Sequence, residues 1–172
     1  MGRVAQAARP KRYVRAVMAD EEEVRIEHPN RRKPASQLAR LIVIVLLIAS
    51  AALVLIVSIG GWDTIEGAKP IQLAYVVIYV VMALFVARWS RGVLPMIAGL
   101  AILLGIFAAV ATPAWFDRDQ DGFTDPAISS GVLGLFCALL VLLQIALMLS
   151  AMIGFRQKWN VEVERRREAA PA

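Results

Sequence analysis

The chain has 172 residues, of which 59% are apolar, and its formal net charge is +5. Soluble domains are about 45–50% apolar, so this composition excludes an ordinary soluble domain. Cys137 is the single cysteine, which excludes an intrachain disulfide and a thiolate metal cluster.

A polar tail of residues 1–38 precedes the first apolar stretch. It alternates between basic blocks and the acidic run 20–23, a pattern typical of a solvated, partly disordered segment. No apolar stretch comes before Leu41, so we predict that no signal peptide is cleaved and that the first span is retained. Met18 would serve equally well as a start, and an intact-mass measurement tests the hypothesis that residues 1–17 are an extension.

Four long stretches of the chain contain no Asp, Glu, Lys, Arg or His. They are Leu41–Trp62, Pro70–Ala87, Gly92–Phe116 and Pro126–Phe155. A helix of about 20 apolar residues crosses a hydrocarbon core of about 30 Å, so each stretch can span a membrane. The spans are predicted at about residues 41–61, 70–88, 92–113 and 129–154, within a transmembrane domain of residues 39–155. Because the connections are short, we expect an all-α membrane protein, an up-down-up-down four-helix bundle.

A second tail, residues 156–172, follows the fourth span. It contains neither Gly nor Pro before Pro171, and Glu162 and Arg166 have the four-residue spacing that stabilises a helix. This pattern predicts that the fourth helix continues beyond the membrane.

The basic residues are concentrated on one side of the predicted bundle. Ten Lys and Arg precede the first span, two lie between the second and third, and five follow the fourth, whereas the other two connections hold one each. The positive-inside rule therefore predicts cytoplasmic termini in a multi-pass protein of the cytoplasmic membrane. Anionic lipid headgroups are the expected partners of this basic side. Fifteen Arg against four Lys indicates a bacterial source with a GC-rich genome.

Small residues spaced by four mark the faces on which membrane helices approach each other. The third and fourth spans each carry such a stripe. The residues are Ala101, Gly105 and Ala109 on the third span, and Ala146, Ser150 and Gly154 on the fourth. We favour packing within one chain, and packing between two copies is the alternative.

Gln144 is the most polar residue deep in any predicted span. An amide in hydrocarbon without a partner costs several kcal/mol, so Gln144 needs a hydrogen bond. Tyr79 on the second span is expected at a similar depth, on one face with Gln72 and Tyr75. We interpret the pair as an interhelical hydrogen bond, and the alternative is a small polar pocket or a lipid or quinone contact between spans two and four.

The connection between the third and fourth spans is rich in aspartate. Asp117, Asp119, Asp121 and Asp125 occupy positions 1, 3, 5 and 9 of a loop with Gly122 at position 6. This spacing resembles the calcium loop of EF-hand and dockerin-type proteins. The resemblance covers residues 117–128 and implies a Ca²⁺ site in which Phe123 contributes its backbone carbonyl.

The loop departs from that family at position 12, where Ile128 replaces the bidentate carboxylate. The implied affinity is therefore in the range of extracellular modules, about 10⁻⁴–10⁻³ M. In the alternative interpretation, Asp121 and Gly122 form a turn and Asp125 caps a fourth helix that has Pro126 at its first position.

The sequence shows no nucleophile paired with a base, no phosphate loop and no His or Cys cluster. We therefore expect a non-enzymatic accessory or structural subunit of a membrane assembly that does not bind nucleic acid and needs no cofactor other than Ca²⁺. The alternatives are a small oligomeric transporter or channel, and an outward-facing calcium sensor. The transporter would have to work without the intramembrane carboxylate on which small multidrug exporters depend.

Overall fold

Four long α-helices make up most of the described chain. The structure is a computed structural model, and it describes residues 24–27, 29–65, 67–118 and 126–166. The helices are α1 (Pro34–Gly60), α2 (Lys69–Ala87), α3 (Leu94–Asp117) and α4 (Ser130–Arg156). Each of the four is long and apolar enough to cross a membrane, which confirms the four predicted helices.

Proline sets the beginning of three of these helices. Pro34, Pro70 and Pro95 lie in the first turns of α1, α2 and α3. The first turn of a helix does not need the N–H that proline lacks, and the fixed φ of proline suits it. The fourth helix begins at Ser130, close to the predicted start of the span at residue 129, so the alternative interpretation with Pro126 at its first position is wrong. The N–H of Ile128 instead donates to the Gly60 carbonyl at 3.3 Å, which holds this segment against the end of α1.

The prediction that the fourth helix continues through the second tail is also wrong. The helix α4 ends at Arg156, and Lys158 has a φ of 49°, a left-handed conformation that terminates helices. Trp159 follows and is fully buried. A Glu–Arg pair on a helix contributes about 0.2–0.5 kcal/mol, whereas burying a large apolar side chain contributes about 1.5–3 kcal/mol, so burial of the indole decides where the helix ends.

The chain divides into two compact units, residues 30–160 and residues 1–29 with 161–172. In the second unit, the described residues form a two-stranded antiparallel sheet of β1 (Val24–Glu27) and β2 (Val163–Arg166). Val24 lies opposite Arg166 in the register. The sequence does not predict these strands, because four residues are too few to establish an alternating pattern.

Within the helical unit, each helix is antiparallel to the helices that it contacts. The Arg40 guanidinium donates to the Ala87 carbonyl, which places the beginning of α1 beside the end of α2. Leu94, the first residue of α3, lies against Gly154 near the end of α4. The contacts of α3 with α4, of α1 with α2 and of α1 with α4 are extensive, but α2 and α3 barely touch. The bundle is therefore open on one side.

The interior and the surface of the helical unit are both apolar. Val43, Leu47 and Leu147 are fully buried between the helices. Large apolar side chains also cover the outside, and Val110 and Leu142 are 69% and 64% exposed. Soluble proteins rarely expose contiguous apolar surface of this kind.

The predicted small-residue stripes are only partly buried. Ala101 and Gly154 are buried and Gly105, Ala146 and Ser150 are half-buried, but Ala109 is exposed. Ala109 therefore takes no part in packing within the chain, which corrects that prediction. Four residues rotate a helix by about 400°, so a strict four-residue spacing drifts about 40° at each step. The buried face of α3 instead alternates steps of three and four, through Ala101, Leu104 and Ala108.

Candidate functional site

A polar cluster lies at the centre of the bundle. Gln144 on α4 is 2% exposed, and its side-chain oxygen accepts a hydrogen bond of 2.8 Å from the Tyr79 hydroxyl on α2. This contact confirms the predicted interhelical hydrogen bond. The Gln144 amide nitrogen donates to the Ser50 hydroxyl on α1 at 2.9 Å. A Cβ placed on Gly105 of α3 would lie 3.4 Å from the Gln144 Cβ, so all four helices meet at the Gln144 side chain.

Ser50 was not among the predicted residues. The first span contains two serines, Ser50 and Ser58, and the sequence does not show which of them faces Gln144. The signal that could have indicated Ser50 is the second hydrogen-bonding group of Gln144, since a primary amide has both a donor and an acceptor to satisfy. All three side chains of this cluster are neutral.

A second polar contact lies between α1 and α2. The buried Ser58 hydroxyl is 2.6 Å from the Val54 carbonyl oxygen and 2.8 Å from the Gln72 side-chain oxygen. A hydroxyl has one proton, so it donates to one of these oxygens at a time. Gln72 therefore has a partner within the protein although it lies in an apolar segment.

Tyr75 lies between these two polar contacts and borders the gap between α2 and α3. Its ring makes edge-to-face contacts with Tyr79 on its own helix, at a centroid distance of 5.7 Å, and with Phe107 on α3, at 6.5 Å. Edge-to-face geometry is a favourable arrangement of two aromatic rings. Tyr75 and Phe107 thus connect two helices that otherwise hardly contact each other.

The gap between α2 and α3 forms a cavity of about 630 Å³, which we call the lateral groove. Ile71 and Tyr75 line it on α2, and Phe107 and Ala111 line it on α3. Val54 on α1 and Leu140 on α4 also contribute to its lining. No Asp, Glu, Lys, Arg or His is among the described residues that line the lateral groove, so an occupant would meet an almost wholly apolar surface.

Aromatic and basic side chains surround the end of the lateral groove at which α2 begins. Trp115 lines the groove and packs against Gly61, where an added Cβ would lie 2.5 Å from the indole. The Arg118 guanidinium lies 6.0 Å from the centre of the Trp115 ring, and the Lys69 ammonium lies 4.8 Å from that of Trp62. This combination of indole and cation is typical of the interface between lipid and water.

The predicted calcium ligands fall largely outside the described residues. Asp117 ends α3 and is exposed, whereas Asp119, Asp121, Phe123 and Asp125 lie outside the described residues. Among the residues that the structure does describe, no three His, Cys, Asp or Glu side chains form a group that could hold a metal ion. The Ca²⁺ site therefore stays a prediction, which calorimetric titration of the purified protein with Ca²⁺ would test.

The chain matches no known family model, no curated protein and no solved structure. Its function must therefore be argued from its own residues. The lateral groove is the candidate site, because it is a cavity of ligand size open to the side of the bundle.

Proposed function

We propose that the protein is a non-enzymatic accessory subunit of the cytoplasmic membrane, and that its lateral groove holds the apolar chain of a membrane lipid. In this proposal the chain crosses the membrane four times, up-down-up-down, with both termini in the cytoplasm. The observation that carries the proposal is the groove itself, an uncharged cavity between two helices that do not close against each other.

The surface of the bundle supports a location in the membrane. Its helices have apolar side chains both inside and outside, and their ends carry the charged residues. The distribution of Lys and Arg supports cytoplasmic termini. In that orientation, the lateral groove lies in the outer half of the membrane, because its lining comes from the end of α1 and the beginning of α2.

The volume of the lateral groove suits a single lipid chain. The groove offers about 630 Å³, a volume typical of sites for small ligands. A single acyl or isoprenoid chain fits such a space, and an uncharged lining suits it.

The neutral polar cluster supports a role without catalysis. Gln144, Tyr79 and Ser50 satisfy one another by hydrogen bonds, and none of them is ionised at neutral pH. General acid–base catalysis needs a group that takes up and releases a proton near the working pH. The cluster thus supplies packing specificity between helices rather than reactive groups.

Native mass spectrometry of the protein purified in mild detergent tests the proposed lipid site. We expect a lipid to be retained by the unmodified protein and lost from the Ala111→Phe variant, because a phenyl ring at Ala111 fills the lateral groove. Ala109→Phe is the matched control, since Ala109 lies on the same helix but is exposed and outside the groove. A lipid-free native protein, or equal retention by both variants, would overturn the site.

The accessory role has a separate test. Affinity purification from native membranes in mild detergent is expected to recover a reproducible partner protein. A strictly monomeric protein with no constant partner would contradict that role while leaving the lipid site open to its own measurement.

A further inference from the structure

The end of the helical unit opposite the lateral groove is strongly basic. Within residues 30–160 this end carries eight Lys and Arg. They are Arg31, Arg32, Lys33, Arg40, Arg88, Arg91, Arg156 and Lys158. All six Asp and Glu of residues 30–160 belong to the two connections at the other end, or immediately precede one of them. Asp63 and Asp117, the carboxylates of this unit that the structure describes, therefore do not lie beside the eight cations.

Trp89 adopts an unusual backbone conformation at this end. Its φ is 62°, in the left-handed region that favours glycine. The N–H of Ser90 donates to the Phe85 carbonyl and the N–H of Trp89 to the Val86 carbonyl, each at 3.0 Å, which is the Schellman pattern that ends a helix. Glycine is the usual residue at this position, so an indole here is held by its surroundings against a conformational cost.

Two arginines lie against the Trp89 ring. The guanidinium carbon of Arg40 is 4.5 Å from the centre of the indole, and that of Arg31 is 5.9 Å from the same point. The two guanidinium carbons are therefore at most about 10 Å apart. Two like charges at this separation repel each other unless an anion lies between or beside them.

Each of these arginines donates one side-chain hydrogen bond to a residue that the structure describes. Arg40 donates to the Ala87 carbonyl, and Arg31 donates to the Asn160 side-chain oxygen at 3.3 Å. A guanidinium has five N–H donors. Within the part of the chain that the structure describes, the buried Nε of each arginine has no hydrogen-bond partner.

Helix ends account for part of this basic cluster. Arg40 donates to the carbonyl of Ala87, the last residue of α2, and Arg91 donates to the Phe155 carbonyl at 2.7 Å near the end of α4. A cation at the carboxyl end of a helix is stabilised by the helix dipole. The guanidinium of Arg31 donates to the Asn160 side-chain oxygen rather than to a carbonyl at the end of a helix.

We infer that Arg31, Arg40 and Trp89 form a binding site for the phosphate group of an anionic membrane lipid in the cytoplasmic leaflet. Guanidinium groups match phosphate oxygens in geometry and charge, and the indole supplies the amphipathic surface found at headgroup level. A lipid is favoured over a soluble phosphate because the site lies at the ends of apolar helices. The inference depends on the membrane location and orientation of the proposed function, but not on the lateral groove.

Native mass spectrometry with added lipid tests this site. The full-length protein in detergent is titrated with phosphatidylglycerol, phosphatidylcholine and inorganic phosphate. We expect phosphatidylglycerol to bind more tightly than the other two. We expect the Arg31→Gln variant to weaken that binding roughly tenfold, the effect of losing a hydrogen bond to a charged group. Arg31→Lys is expected to recover only part of it, because an ammonium lacks the planar pair of donors.

Arg88→Gln is the matched control, since Arg88 is an exposed arginine at the same end of the bundle. A less than twofold change in Arg88→Gln supports a discrete site, and equal weakening by both variants overturns it in favour of general attraction to the basic surface. Equal binding of inorganic phosphate overturns the lipid as the occupant. Ala111→Phe should leave the preference for phosphatidylglycerol over phosphatidylcholine unchanged, so failure of the lateral groove and failure of this site give different results.

Discussion

The amide of Gln144 connects three helices through two hydrogen bonds, one to Tyr79 and one to Ser50. We expect Gln144→Leu to lower the free energy of unfolding by about 1–2 kcal/mol, because it leaves a buried hydroxyl on each of two helices without its partner. Unfolding in mixed micelles measures the change. In the double variant with Tyr79→Phe, the loss of unfolding free energy should be less than the sum of the two single losses. Strict additivity would show that Gln144 and Tyr79 are not coupled in energy.

Lys158 shows how a single residue at a helix end stores backbone strain. Its φ of 49° suits glycine, and its side chain is exposed, so Lys158→Gly relieves strain without removing packing. We expect this variant to be about 1 kcal/mol more stable in thermal unfolding. The control is Gln157→Gly, which places glycine at a φ of −76° and should not stabilise. A lower melting temperature for Lys158→Gly would contradict the assignment of strain.

The contacts of a residue could be predicted from the sequence where its chemistry left few possible hydrogen-bond partners. A buried amide demands a hydrogen bond, and Tyr79 was expected at a similar depth, so the sequence indicated the Gln144–Tyr79 contact. The left-handed backbone conformations of Trp89 and Lys158 could not be predicted from the sequence. Neither residue type prefers that region, and only the burial of Trp159 and its ring contact with Trp89 at 5.5 Å explain them.

At the level of elements, the apolar stretches predicted the number of helices. In a membrane each stretch forms a helix, because a helix makes the hydrogen bonds of its own backbone internally. The helix ends were less predictable. Uncharged residues beyond a helix look the same as residues within it. The sequence therefore left Pro126 open as an alternative helix start, although the segment up to Ser129 packs beside Gly60. The open gap between α2 and α3 was not predicted, because it depends on the distance and angle between the two helices.

The contact between the end of α1 and α3 depends on a glycine. An added Cβ on Gly61 would lie 2.5 and 2.8 Å from two carbons of the Trp115 ring, which is packed in place. We expect Gly61→Ala to destabilise the protein by about 1–3 kcal/mol, the usual cost of overpacking. Unfolding in detergent measures this change, and a shift in tryptophan emission should accompany it as the ring moves.

Gly99→Ala is the matched control on α3. Nothing lies within 4 Å of a Cβ at this position, and Gly99 is exposed inside the helix, so alanine should stabilise by about 0.5–1 kcal/mol. Gly61→Ala and Gly99→Ala are therefore expected to change the free energy of unfolding in opposite directions. The same sign for both would show that helix propensity, and not the space beside Trp115, governs these positions.

Across the whole molecule, the two proposed lipid contacts lie at opposite ends of the bundle and differ in chemistry. The lateral groove is uncharged and suits a hydrocarbon chain, whereas the cluster of Arg31, Arg40 and Trp89 suits a phosphate. Since the lining of the groove comes from the end of α1 and the cluster lies at its beginning, a four-span orientation assigns them to different leaflets. The leaflet of each lipid thus depends on which way the chain is inserted.

Accessibility to a membrane-impermeant maleimide determines this orientation. The native thiol is removed by Cys137→Ala, and new thiols are introduced singly by Thr124→Cys in the aspartate-rich connection and by Arg88→Cys in the basic turn. With cytoplasmic termini, we expect intact cells to label the first variant, and the second to react only after permeabilisation. The reverse result would move the phosphate-binding cluster to the outer leaflet and the lateral groove to the inner one. Because anionic lipids are concentrated in the cytoplasmic leaflet, that outcome would remove the expected ligand of the arginines while leaving the apolar groove with one.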